Sequence, residues 1–415
     1  MVVGTIIGAS IFVQPSEITR QLPSVSAIVL AWIAAGVLTL CGALVCAELA
    51  SAFPQTGGVY VFLKEAYSPG AGFLWGWAML WSMHSGIIAA IATVFARYAA
   101  VFVPMGDIGL RATAAGLVVV LSAVNCTGLR AGTLVQTTFT FAKVLAIVGI
   151  VVAGAVWSGS PPSTSAVVAA GVSARGFLLA MAAGLFAYGG WHMVTYTAGE
   201  TRDAASTIPR ALVLGTLIVT ASYAGLNAVY LRVLPLDAVR ASSHVAADAA
   251  DVLLGGGGAR MMAALVMVST FGAVNGIILV GPRVYYSMAR DGLIFRWLGD
   301  VHPTFHTPYR ALIAQAVVAG TLAATNTYGA LFGRVIYTEW IFFAAMTYGL
   351  VRLRRRPDYR PSYRVWAYPA VPVLFIVVSA AIVATQIASN PIDSAIGLGL
   401  VLAGLPVYWL WSRRS

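Results

Sequence analysis

Two stretches of this 415-residue chain place glycines inside otherwise apolar sequence. The first runs from Gly4 through Gly8, Ala9, Ser10 and Ile11 to Phe12. The second runs from Gly184 through Phe186, Ala187, Tyr188, Gly189 and Gly190 to Trp191 and His192. Glycine weakens a helix interior by about 1 kcal/mol per residue, so both stretches invite local unwinding. An unwound turn frees backbone N–H and C=O groups, which lipid tolerates only where they face protein or a water-filled cavity. The chemistry this offers is recognition: N–H groups at a half-helix end suit an anionic group, and freed carbonyls suit a cation. Close packing through Gly4 and Gly8, a GxxxG pair, is the competing reading. A further candidate is Lys143, a charge near the middle of an apolar run and too far from its ends to snorkel. An intramembrane lysine is a functional candidate by default.

The elements that hold these residues must be membrane helices. Hydrophobic residues make up 60% of the chain and charged residues 9%, against about 45–50% and about 25% in soluble domains. The surplus needs a second apolar phase, which a bilayer supplies. Apolar stretches able to span recur about twelve times: near 1–20, 25–52, 70–103, 112–127, 132–157, 176–200, 208–234, 259–289, 310–327, 330–352, 367–388 and 391–412. The net charge of +11 sits in short connectors, so it reads as membrane orientation and not as a nucleic-acid surface. With the N-terminus inside, 16 Lys and Arg fall on the cytoplasmic side and 8 on the other, which predicts both termini in the cytoplasm. Cys41, Cys46 and Cys126 lie in or beside apolar runs without metal-ligand spacing, so no disulfide framework, metal or cofactor is expected. No cleavable signal peptide is visible. Only seven residues precede Gly8, about 10 Å of helix, and a start further upstream is expected.

The breaks fall in the first and sixth spans, five apart, which suits two inverted five-helix repeats with a site between the breaks. With this pattern in view, the sequence resembles the amino acid–polyamine–organocation superfamily, and within it the L-type amino-acid transporters of bacterial type. The resemblance rests on Gly8, Ala9, Ser10, Ile11 and Phe12; on Glu48 through Pro54, Gly57, Gly58 and Tyr60; and on Leu185 through Trp191. It continues in Phe271, Gly272, Asn275 and Gly276, in Arg290 to Leu293, and in Arg356 to Pro361. Ala9 and Ser10 depart from the family's Ser and Gly; a serine needing positive φ would be strained. The resemblance implies an all-α polytopic fold of LeuT type, with helices 1–5 over 1–157, helices 6–10 over 176–352 and the last two over 367–412. It also implies that an amino acid binds between the breaks, its carboxylate at Gly8, Ala9 and Ser10 and its ammonium at carbonyls near Phe186 and Gly189, with Ile11, Ala187 and Tyr188 as further substrate-binding residues. Phe186 would be the gate. His192 is a candidate substrate contact beside the reading of an ordinary core histidine.

The family's lysine at the Lys143 position stands in for a sodium ion between helices one and eight, with Ser269 and Thr270 as candidate partners; a proton-coupling role is the alternative. His84, Glu48 and Glu339 read as structural hydrogen-bonders. No acidic residue is evident in the side-chain pocket, so neutral amino acids are expected. The loop 103–111 has no cysteine, so a disulfide-linked heavy chain is not expected and a monomer is. The expected activity is sodium-independent exchange across the plasma membrane by alternating access, with no enzymatic step. Proton-coupled amino-acid or polyamine symport and a non-transporting sensor on the same fold are the alternatives. The sequence has no GxxxxGK[ST] for a nucleotide-driven pump and no HExxH for a metalloprotease.

Overall fold

The computed structural model describes residues 2–159 and 171–412. Arg413 and Arg414, counted above as cytoplasmic, lie outside them, as does the side chain of Arg130. The described residues are helical, with no strand among them. In chain order they form α1 (Val2–Ile6), α2 (Gln14–Gln21), α3 (Val25–Ala52), α4 (Val59–Ala66), α5 (Pro69–Trp81), α6 (Met83–Ala99) and α7 (Asp107–Cys126). Next come α8 (Leu129–Val156), α9 (Ala174–Ala187), α10 (Ala204–Val233), α11 (Leu236–Ala241), α12 (Val245–Leu254), α13 (Gly258–Val280) and α14 (Pro282–Arg290). The chain ends with α15 (Tyr309–Thr325), α16 (Tyr328–Leu353), α17 (Ala370–Ser389), α18 (Pro391–Leu402) and α19 (Gly404–Ser412). Tight 3₁₀ turns cover Ser10–Phe12, Trp191–Glu200 and Arg296–Gly299.

Nine helices among the described residues are long and apolar enough to cross a membrane. The remaining stretches expected to span correspond to the interrupted α1–α2 pair, to α15 at 17 residues, and to α16, which carries Arg334, Thr338 and Glu339. Polar residues start several helices: Ser24 and Ser68 accept hydrogen bonds from Ala27 N and Ala71 N, and Pro69 follows Ser68 at the first helical position. The outer helices turn leucine, valine and phenylalanine outward, as at Val119, Phe141, Leu145, Val373 and Val377. Such a surface needs lipid and not water. The protein is a multi-pass membrane protein.

Enclosed by those helices are α6, α9 and α13, and polar groups there repair the backbone. Pro282 has no N–H, so Ile278 O loses its helical donor. Gln315 Nε2 of α15 donates to that carbonyl at 3.4 Å, and the His84 ring of α6 bonds Ile277 O at 2.9 Å. His84 is thus the structural hydrogen-bonder expected of it.

Glu48 is one as well. Fully buried near the end of α3, its carboxylate receives Arg354 Nε at 2.8 Å, Arg354 Nη2 at 2.5 Å and Val365 N at 2.6 Å. The segment after α16 is thereby pinned to α3. Removing one member of a buried pair strands the other, at a cost of about 3–5 kcal/mol. Arg354→Ala is therefore expected to lower the thermal unfolding midpoint in detergent sharply; an unchanged midpoint would deny the pair this structural role.

Candidate functional site

The first break opens directly after α1. Ile7 N still bonds Val3 O at 2.9 Å, but the amides of Gly8 and Ala9 have no backbone partner among the described residues, and the chain re-enters helix through the turn at Ser10–Phe12. The second break follows α9: Gly189 N bonds Phe186 O at 3.1 Å, then Gly190 adopts φ +96 and the Trp191–Glu200 turn begins. A Cβ on Gly190 would lie 2.8 Å from Thr5 O, so both its φ and the approach of the first break require glycine.

Five of the carbonyls around the breaks are capped by side chains. Lys143 Nζ of α8 donates to Gly4 O at 2.9 Å and to Ile7 O at 2.5 Å. The Tyr223 hydroxyl of α10 lies 3.0 Å from Ile6 O and 2.9 Å from Ala187 O, one donor poised between the two breaks. Thr5 Oγ1 reaches Gly190 O at 3.2 Å. A buried carbonyl without a donor costs about 1–3 kcal/mol, which these contacts avoid. Lys143 also places a positive charge where the carbonyl end of a half-helix is negative.

Between the breaks lies a cavity of about 20 Å³, room for about one water. Of the residues that the sequence points to, Gly8, Ser10, Phe186 and Gly189 line it. Thr5, Ile6, Ile87, Ile91, Gly190, Met193, Ile277 and Glu339 complete the wall. Ala9, Ile11, Ala187 and Tyr188 are buried behind it; the Tyr188 hydroxyl points to Trp32 O at 3.4 Å. His192 also lies off the cavity, boxed by Trp75, Trp191, Tyr196 and Phe343. Ser10 has no positive φ, so its replacement of glycine brings no left-handed strain. Ser269 Oγ makes no hydrogen bond and Thr270 Oγ1 bonds Met267 O at 2.9 Å; the structure links Lys143 to the first break and not to these two.

Glu339 departs from its expected role. It is 5% exposed and makes no hydrogen bond or ion pair among the described residues, so it is not a structural hydrogen-bonder there. The expectation that no acidic residue lines the pocket fails with it. Sequence alone hid this because the face that a lone carboxylate on α16 presents depends on how six other helices pack against α16. Tyr223 and Thr5 were hidden too, since their partners are backbone carbonyls remote in sequence.

The cavity is shut on both sides. On one, Phe186 packs edge-on against Phe332, with ring centres 4.9 Å apart, and against Tyr328 at 6.2 Å; Gln14 Nε2 holds the Tyr328 hydroxyl at 2.9 Å. On the other, Gly57 N bonds Tyr196 O, Arg283 grips Glu200 through two bonds of 2.7 and 2.8 Å, and Asp291 accepts from Lys64 at 2.7 Å and from Tyr60 at 2.5 Å. Burial, reinforced by the Asp291 carboxylate, holds the Tyr60 phenol well above its ordinary range, so it stays a donor. Among the described residues no cluster of three or more His, Cys, Asp or Glu could hold a metal.

Comparison with known proteins places this geometry in context. The amino acid permease family model matches residues 1–409. The chain is 32% identical to the serine/threonine exchanger SteT of Bacillus subtilis, over 100% of this chain and 95% of that protein. It is 31% identical to the large neutral amino acids transporter small subunit 2 of Oryctolagus cuniculus, over 100% and 79%, and 30% identical to the human b(0,+)-type amino acid transporter 1, over 99% and 86%.

Tyr223→Phe leaves Ile6 O and Ala187 O without their donor and is expected to cost about 1–3 kcal/mol. Gly190→Ala adds a methyl against Thr5 O and is expected to cost a similar ~1–3 kcal/mol through backbone strain. Thermal unfolding of the purified variants reads both; midpoints equal to wild type would mean that the breaks are not held as described.

Proposed function

Because this chain belongs to the amino acid permease family and is an amino-acid transporter, not an enzyme, we propose that it exchanges amino acids by alternating access around the cavity between its two helix breaks. The observation that carries this reading is the pair of unwound turns facing each other, with the Gly8 and Ala9 amides unbonded beside Ser10. An amino acid's carboxylate would take those amides and the Ser10 hydroxyl, and its ammonium the remaining carbonyl lone pairs near Phe186 and Gly189. A cavity of about 20 Å³ cannot hold even a small amino acid, so the structure corresponds to a closed intermediate. Substrate would enter when Phe186 swings from Phe332 and Tyr328, and leave when the ion pairs on the other side part.

The family's five-plus-five inverted repeat, twelve crossings and a plasma-membrane location with both termini cytoplasmic complete the proposal. The Lys and Arg bias supports the orientation, and the breaks at the first and sixth stretches support the repeat. Exchange without sodium is supported by Lys143, whose ammonium already lies on Gly4 O and Ile7 O. Serine and threonine, the substrates in the bacterial relative's name, are the first to assay.

In proteoliposomes, counterflow of labelled serine or threonine is expected and should be unchanged when choline replaces sodium. Binding without flux would instead favour a sensor. Lys143→Met removes two charge-assisted bonds, each worth about 1.5–3 kcal/mol, so exchange should fall by at least about tenfold. Full activity with an unaltered pH profile would remove the role given to Lys143.

A further inference from the structure

We propose that Glu339 forms a subsite for the cationic side chain of a basic amino acid, so that this transporter accepts substrates of the lysine, ornithine or arginine class. The inference rests on the cavity between the breaks being the substrate site. Glu339 is the one carboxylate in that wall. It lies within α16, buried, with no hydrogen bond or ion pair among the described residues. Acidic side chains at membrane depth nearly always pair with a cation or with backbone donors, because an isolated charge there is costly to desolvate. Two buried or half-buried cations of these helices are committed elsewhere. Lys143 is bonded to the first break, and Arg334, on the same helix, pairs with Asp393 at 3.2 Å and with Asn326 at 3.1 Å. A positive charge arriving with the substrate would supply the missing partner.

The rest of the wall favours a side-chain charge over the ammonium common to all amino acids. Ile87 and Ile91 from α6, Ile277 from α13 and Met193 from the 3₁₀ turn supply aliphatic surface around the carboxylate. A chain of methylenes ending in an ammonium or guanidinium matches such a surface: the stem packs on the isoleucines and the head meets Glu339. A short neutral side chain would leave the carboxylate unpaired when the cavity closes.

The test is competition against labelled serine or threonine counterflow in proteoliposomes holding the full chain, with lysine, ornithine and arginine as competitors. Wild type should be inhibited by the basic amino acids. Glu339→Gln should raise the concentration of basic amino acid needed for half-inhibition by at least about tenfold relative to that of unlabelled serine, and Glu339→Asp should keep part of the preference. A thermal unfolding midpoint of purified Glu339→Gln close to that of wild type shows that the variant is folded. Basic amino acids that do not compete with wild type, or compete equally with Glu339→Gln, would overturn the proposal and leave the exchange reading intact. Equal loss of neutral and basic exchange would also overturn it, assigning the carboxylate to the common ammonium or to the fold. So would neutral uptake that acidifies the vesicle interior only while Glu339 is present, which would make the charge a proton. No counterflow of any amino acid by wild type would remove the exchange reading, and this inference with it.

Discussion

A peptide group without a hydrogen-bond partner is costly at the centre of a bilayer and is tolerated only where it faces protein or a cavity, and this molecule contains two helix interruptions there. Everything near the cavity can be understood as a consequence. Lys143 and Tyr223 reach in from α8 and α10, and Thr5 crosses from one break to the other, so that the carbonyls released by unwinding find donors. The amides of Gly8 and Ala9 keep no such partner. The repair is therefore partial: several acceptors are satisfied by side chains, and these two donors are not. A helix pair built only for close packing would have had no use for that asymmetry.

The two sides of the cavity are closed by different physics. On the Phe186 side the contacts are aromatic edges, which rearrange by rotating a side chain without stranding a charge. On the opposite side they are ion pairs, Glu200 with Arg283 and Lys64 with Asp291, each with at least one half-exposed partner. Charges that part there become hydrated, so opening is far less costly than it would be in the core. Glu48 and Arg354 differ again, with a fully buried carboxylate and an added backbone donor. That pair ties the segment after α16 to α3.

Much of this was legible in the sequence because glycine and a lone lysine are conspicuous in an apolar background. Gly8, Gly189, Gly190 and Lys143 announce where helices break and where a charge must be accommodated. The identity of Lys143's partners was less legible: its bonds go to main-chain carbonyls, which carry no residue signature, and not to the hydroxyls of Ser269 and Thr270. Tyr223 is one tyrosine among 17, and nothing in its neighbourhood marks it as the bridge between breaks. For His192 the sequence left both a core role and a substrate contact open. It sits beside a break in sequence, yet the left-handed turn at Gly190 rotates it into an aromatic box. Glu339 shows the limit most clearly, because its importance depends on facing the cavity and not a neighbouring helix.

The central claim is that the unpaired amides of the first break hold the substrate's carboxylate. Its most direct test is an electron cryomicroscopy structure of the chain with its best-exchanged amino acid bound. The account predicts density between the breaks, with the carboxylate within hydrogen-bond distance of the Gly8 and Ala9 amides, Phe186 closed over it, and Lys143 still on Gly4 O and Ile7 O. An amino acid bound elsewhere, or helices that run unbroken through Gly8 and Gly190, would contradict it.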